Sequence, residues 1–372
     1  MEIPKTIQLL QEGIESGLHI GVQLFVMIDG HAVVDLALGN ARLAADTHDG
    51  HDIAMMPDTL MLWLSAGKPI TAAGILLLRQ RGIIALDDAV AKYLPEFARE
   101  GKDSITLRHL LTHTAGLRSV DASYPFENWQ EVLDRIYVMK MERDWVPGLR
   151  AGYHTHTSWY VLGELISRLT GMPCAQWLRE NILLPIGMKD TWLAMSPDEY
   201  RAYGNRIGFL YDTAVKPPVP LKNYDTELAA SRARPSASCR GPVRELAKFY
   251  EMLRRGGEVN ETRLLKQETV AAMTMRQRVG MYDQTFRQTI DWGLGIIVNS
   301  AHYGPGIPYQ FGPYASRETF GHGGSQSSTG FCDPMKKLVV GLVFNGCPGE
   351  AAHDKRLRAL LKALYEDLDL DK

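Results

Sequence analysis

The sequence predicts a mixed α/β (α+β) protein: a sheet domain assembled from both ends of the chain, 1–85 and 236–372, with a mostly helical domain, 86–235, inserted between them. Three observations carry this expectation. An amphipathic helix and a hairpin signal open the chain, strand-like apolar runs and a closing helix end it, and the middle alternates helical periodicity with loops.

In order along the chain, Ile7, Leu10 and Ile14 are spaced along one face of a helix over 6–15. Gly21 to Gly30 and Ala32 to Gly39 then read as two strands joined by a tight Asp29-Gly30 turn, and 40–58 as a polar loop. After the apolar run Ile70 to Leu78, the stretch Ser104 to Leu117 predicts a short helix with Thr106 as N-cap and Gly116 as its stop. Residues following Thr157 predict a helix ended by Gly171. The stretch 200–235, rich in Pro, Arg and Tyr, predicts an ordered lid or crossover loop. Pro242 to Gly256 predicts a helix with a glycine stop, and 292–299, 330–334 and 337–345 predict strands of one sheet. Asp354 to Leu368 predicts the closing helix.

Composition bounds the function. The chain has 372 residues, 45% hydrophobic and 23% charged, with a net charge of −2. That balance offers no electrostatic footprint for nucleic acid or an anionic membrane, and the expected partner is a small molecule. No secretory signal opens the chain and no stretch reaches about 18 consecutive apolar residues, so a cytoplasmic location is expected. Cys174, Cys239, Cys332 and Cys347 are far apart and in no metal-ligand spacing, which reads as buried or free thiols. His109 and His113 stand four apart, a spacing able to hold a metal, yet no third ligand accompanies them and a scaffold role is the stronger reading.

The chemistry centres on Ser65 and Lys68. Residues three apart on a helix lie about 5–6 Å apart at Cβ, so the lysine amine reaches the serine hydroxyl. A serine hydroxyl is protonated at neutral pH and attacks a carbonyl only when a neighbour takes its proton, as a lysine kept partly neutral by burial and nearby charge does. The bland alternative is an N-cap serine with a solvated lysine.

The flanks speak against the bland alternative. Trp63-Leu64 precede Ser65, Pro69-Ile70-Thr71 follow Lys68, and Gly82-Ile83-Ile84-Ala85-Leu86-Asp87-Asp88 comes soon after. With the Ser-x-x-Lys motif these residues resemble the class C β-lactamase-like serine hydrolases, which include penicillin-binding-protein-like esterases, D-amino-acid peptidases and acyltransferases. The resemblance covers nearly the full chain. It implies the serine β-lactamase/DD-peptidase-like fold, an antiparallel sheet flanked by helices with the helical domain inserted.

It also implies the remaining parts of a site. In the family a Tyr-x-Asn triplet follows a Pro-Gly pair, and here Tyr153-His154-Thr155 stands at the matching distance from Pro147-Gly148. Tyr153 carries over as general base or acid; Thr155 replaces the asparagine. His154 or His156 can take the asparagine's place or orient the tyrosine, but alternate residues point in different directions, so one of them at most is expected to face the serine. A third motif, Gly321-His322-Gly323-Gly324-Ser325, matches the His-x-Gly form of many esterases and acyltransferases rather than Lys-Thr-Gly. This implies substrate contacts at His322, Gly323 and Gly324, and an oxyanion hole from the amides of Ser65 and Ser325. Taken as a glycine turn alone, the same stretch merely joins two strands.

The implied function is a serine hydrolase or acyltransferase acting on an ester or amide of a small molecule, in specialised metabolism, with water, an amine or an alcohol as acyl acceptor. No metal or organic cofactor is expected. A histidine binds a substrate carboxylate less well than a lysine, which points away from lactamase work. The alternatives are a D-amino-acid peptidase or amidase and, in a different class, a non-catalytic binding module on the same fold. Trp63, Trp159, Trp292, Phe320, Tyr309 and Tyr314 are candidates for an acyl pocket, or ordinary core.

Overall fold

The structure is a computed structural model of the 372-residue chain; it describes all residues except 121–123, 222, 260–261, 305 and 309–310. Tyr309 therefore lies outside the described residues.

The hairpin signal sets up the sheet. Strands β1 (Gly21–Ile28) and β2 (His31–Arg42) are joined by Asp29 and Gly30, both at positive φ (49° and 84°). A two-residue turn of that hand matches the twist of the strands it joins. Strands β3 (Ile53–Ala54), β4 (Ile297–Val298), β5 (Phe320–Gly323), β6 (Ser328–Asp333) and β7 (Leu338–Phe344) complete a seven-stranded antiparallel sheet in the order β4-β5-β6-β7-β1-β2-β3. The two ends of the chain meet where β1 pairs with β7, Val22 opposite Phe344 and Ile28 opposite Leu338.

Helices cover both faces. Helix α1 (Pro4–Glu15) lies against the last helix, α7 (Glu350–Asp367), and Leu10, Val22, Leu24, Val26, Leu342 and Leu360 form one buried cluster. On the opposite face lies α6 (Val243–Arg254), seated over a cross-strand pair of glycines, Gly330 opposite Gly341. A Cβ at Gly330 would stand 2.4 Å from the Tyr250 ring, and one at Gly341 2.7 Å from the Val243 carbonyl oxygen. Only the missing side chains let the helix come so close.

Between these segments, α2 (Lys68–Gln80) is buried from Lys68 through Leu78 and packs against α5 (Thr157–Thr170), which ends at Gly171 with φ 68°. Helix α3 (Leu107–Leu111) is capped by Thr106, and α4 (Trp129–Val138) by Asn128. Among the described residues no helix is long and apolar enough to cross a membrane.

The structure differs from the sequence expectations in four places. Residues 40–58 are not all loop, because β2 continues to Arg42 and pairs with β3; polar residues on an edge strand bury too little to leave a periodic signal. Helix α3 stops before Gly116, since His113 turns to φ 58° and its buried ring accepts a hydrogen bond from the His154 amide. Of 292–299 only Ile297–Val298 joins the sheet, for Gly295 (φ 72°) bends the chain so that its amide bonds the Leu111 carbonyl. Within 200–235, Tyr211–Asp212 pairs with Gly346–Cys347 and Val219–Pro220, and Glu227–Ser231 is helical. Two-residue strands carry no periodicity to read.

Candidate active site

Ser65 sits on a single 3₁₀ turn, Leu64–Gly67, that feeds into α2. Leu64, immediately before it, is held at φ 49°, a conformation unfavourable for a residue with a side chain and sustained only where the surroundings impose it. Here they do. The Trp63 amide donates to the Cys239 carbonyl at 2.8 Å, the Trp63 indole to the Gly241 carbonyl at 2.9 Å, and the Ser328 hydroxyl to the Trp63 carbonyl. Gly324 packs against the same segment, where a Cβ would lie 2.3 Å from the Trp63 carbonyl oxygen.

Lys68, the first residue of α2, places Nζ 2.9 Å from Ser65 Oγ and donates to the Ser236 carbonyl at 2.8 Å. It is fully buried, between the rings of Tyr153 and Trp159 at 5.2 and 5.5 Å from Nζ. Burial, and then the Arg234 guanidinium, hold its amine well below the usual lysine range. A neutral amine has a lone pair for the serine proton, which a solvated ammonium lacks.

Tyr153 belongs to the extended stretch entering α5. Its ring packs on His113 (4.7 Å), Phe286 (4.8 Å), Trp292 (5.7 Å) and His322 (6.1 Å). Its backbone is pinned from both sides: the amide donates to Asp283 Oδ1 at 3.0 Å and the carbonyl accepts from the Thr285 hydroxyl at 3.1 Å.

The two histidines separate as alternation requires. His154 turns inward, fully buried, with Nδ1 2.5 Å from the Ser158 hydroxyl and its ring edge-on to His113. It lines neither cavity at Ser65. Burial pushes its pKa down to about 3, and it is a neutral core group. His156 faces the serine's cavity together with Thr155, and its Nδ1 lies 2.7 Å from the Ser236 hydroxyl.

The Gly-rich segment ends β5. His322 is 1% exposed, its Nδ1 donating to the Gly323 carbonyl at 2.7 Å, and its pKa is driven to about 3 by burial and by Lys68. Its ring packs against Tyr153 and Trp292 (centroids 6.1 and 5.6 Å), and it lines neither cavity. Ser325 does reach the cavity wall, and Gln326 after it holds φ 50°. Among the described residues the amides of Ser65 and Ser325 make no backbone hydrogen bond, Ser65 because the first amides of a helix have no intrahelical partner.

Ser65 stands where two cavities meet. One, of about 480 Å³, is lined by Leu64, Thr155, His156, Leu221, Tyr224 and Ala237 among others; the second, of about 530 Å³, by Tyr153, Thr285, Phe286, Ser325, Glu350 and Asp354 among others. None of Trp63, Trp159, Trp292, Phe320 and Tyr314 lines either of them; the three tryptophans are fully buried core.

Sequence reading passed over the residues behind the site. Asp283 accepts from the amides of Tyr153, Thr285 and Phe286 and pairs at 3.0 Å with Arg278, and both side chains of that pair are buried. Arg234 and Ser236 lie behind Lys68. A lone acid in a polar loop gives no signal in a sequence, although the small residues after Arg234-Pro235 hint at a tight approach to another segment.

The sequence profile of the family described as Beta-lactamase matches residues 6–365. The esterase/beta-lactamase LipL of Mycobacterium tuberculosis is 26% identical over 359 residues, covering 87% of this chain and 77% of that protein. A penicillin-binding protein homologue from Caulobacter crescentus superposes with a TM-score of 0.79 at 27% identity, covering 98% of this chain and 97% of that one. A family VIII carboxylesterase gives 0.77 at 25% identity over the same shares, 98% and 97%. Matched along almost its whole length, the chain belongs to the beta-lactamase family and is a serine hydrolase of that fold.

Proposed function

We propose that the protein is a serine esterase, able to act as an acyltransferase, that processes an ester of a small molecule through a Ser65 acyl-enzyme. The observation that carries this reading is the 2.9 Å approach of the fully buried Lys68 amine to the Ser65 hydroxyl. Lys68 takes the serine proton as Oγ bonds to the substrate carbonyl carbon. The carbonyl oxygen becomes an oxyanion, to which the Ser65 and Ser325 amides donate. The carbonyl–leaving-group bond then breaks as Tyr153 gives its phenolic proton to the departing oxygen; in the second half the tyrosinate takes the proton of the attacking acceptor, and the Lys68 ammonium returns its proton to Ser65 Oγ. Water, an alcohol or an amine takes the acyl group and restores Ser65. Two cavities at one serine suit an acyl part on one side and a leaving group or acceptor on the other.

An uncharged ester is favoured over a peptide ending in a carboxylate, because the strand motif presents a buried, neutral His322 where a lysine would offer a cation. A binding module without chemistry has no need to bury a lysine against a serine.

Intact-protein mass spectrometry after incubation with a fluorophosphonate, and separately with an activated short-chain ester, tests the reading. A single adduct in the wild type that is absent from folded Ser65→Ala is expected. No adduct on folded wild-type protein would overturn the proposal in favour of a binding module.

A further inference from the structure

We propose that Arg234 and His156 are positioning residues for the general base: a chain of contacts from Arg234 through His156 and Ser236 holds the Lys68 amine in place and sets a fixed positive charge behind it. This rests on the Ser65 acyl-enzyme reading and adds to it.

The contacts run without a gap. Arg234 Nη2 lies 2.6 Å from His156 Nε2, His156 Nδ1 2.7 Å from the Ser236 hydroxyl, the Ser236 carbonyl 2.8 Å from Lys68 Nζ, and Lys68 Nζ 2.9 Å from Ser65 Oγ. A guanidinium only donates, so His156 Nε2 accepts from it and the ring proton is fixed on Nδ1, directed at Ser236. His156 is neutral in this arrangement, its pKa held well below the usual range by burial first and by Arg234 next. Arg234 itself is 6% exposed and makes no ion pair with a carboxylate among the described residues. Its guanidinium lies 4.6 Å from the centroid of the Tyr124 ring, and its backbone amide donates to the Ser238 hydroxyl at 2.8 Å. A buried cation supported by a ring face and a histidine, with no carboxylate paired to it among the described residues, projects its charge onto whatever ionises nearby.

What ionises nearby is Lys68. The groups that face it are Ser65 on its own turn, Tyr153 and His156 from the entry to α5, His322 from β5, His113 from the end of α3, and Arg234. The three histidines are neutral, so Arg234 is the fixed cation in this set, and it disfavours the ammonium form of Lys68. The Ser236 carbonyl occupies one N–H of the amine, which leaves the lone pair free to turn toward Ser65 Oγ.

The test is the pH dependence of Ser65 labelling by a fluorophosphonate, followed by mass for wild type, Arg234→Gln, Arg234→Lys and His156→Ala, each checked for folding by circular dichroism. Loss of the cation should move the acid limb of the Arg234→Gln profile up by about one pH unit, which is about tenfold slower labelling on that limb, with recovery at high pH. Arg234→Lys should return the limb toward the wild-type position. His156→Ala, in which the guanidinium loses its anchor, should shift the limb in the same direction. A limb that stays in place in Arg234→Gln, with a uniform fall at every pH or none, would overturn the inference by reducing Arg234 to a packing role. Should Arg234→Gln fail to fold, an unmoved limb in His156→Ala decides the same way. Labelling that persists in Ser65→Ala would instead sink the acyl-enzyme reading, so the two failures are separable.

Discussion

At the scale of single residues, the site depends on positions whose neighbours leave them little choice. Tyr153 is fixed at its amide, its carbonyl and its ring, so removing its hydroxyl alone should leave the backbone where it is. Tyr153→Phe is expected to lower kcat/KM by about 10²–10⁴-fold, the range for loss of a positioned acid–base group, with little change in thermal stability. Steady-state kinetics with an activated ester checks this, and an unchanged rate would pass the proton-handling role to another group. Gly324 is constrained by space: a methyl there would meet the Trp63 carbonyl oxygen at 2.3 Å, beside the strained Leu64. Gly324→Ala should cost about 1–3 kcal/mol of stability, as overpacking does, and slow Ser65 labelling because the displaced segment carries the nucleophile. Urea denaturation together with labelling rates would report both effects.

At the scale of elements, one buried ion pair within 278–283 hydrogen-bonds to two segments far away in the chain, at Thr112 and Tyr153. Arg278 donates to Asp283 at 3.0 Å and to the Thr112 carbonyl at 3.1 Å, while Asp283 gathers the amides that place Tyr153. Asp283→Ala leaves the Arg278 cation buried without its partner, and is expected to destabilise by about 3–5 kcal/mol, measurable by chemical denaturation. A loss below about 1 kcal/mol would mean that water reaches the arginine. The elements themselves differ in how legible they were. The β1–β2 hairpin was readable because Asp29-Gly30 meets a backbone demand at both positions, and α5 because Gly171 ends it in the left-handed conformation. The short pairing of Tyr211–Asp212 with Gly346–Cys347 was not, since a two-residue strand has no pattern and its partner lies far along the chain.

At the scale of the whole molecule, buried neutral histidines couple folding to pH. His19, His154, His322 and His353 are each pushed from the ordinary 6.5 down to about 3, burial being the first cause in every case. Between those values the unfolded chain binds protons that the folded chain refuses. Their contribution to stability is therefore complete above about pH 6.5 and is lost progressively as the pH falls toward 3. Each histidine adds at most about 1.4 kcal/mol per pH unit to that slope. Urea midpoints measured from pH 7.5 to pH 4.5 should fall steeply below 6.5, and His353→Asn, away from Lys68, should flatten the fall. A midpoint independent of pH over that interval would show that these rings are protonated in the folded state.

The sequence by itself determined whatever is encoded locally. The Ser65-x-x-Lys68 spacing, the hairpin turn, the glycine-stopped helices and the Gly-rich end of β5 each follow from the backbone and side-chain requirements of a few neighbouring residues. Only the tertiary structure decided which of two alternate histidines lines the cavity beside the serine, that His322 is buried, that Arg234 and Ser236 come next to His156 and Lys68, and that the Arg278–Asp283 pair comes next to Tyr153. The physical reason is common to all of them. A buried polar group takes its role from the partner that satisfies it, and these partners come from segments that only the packing of the sheet and helices brings together.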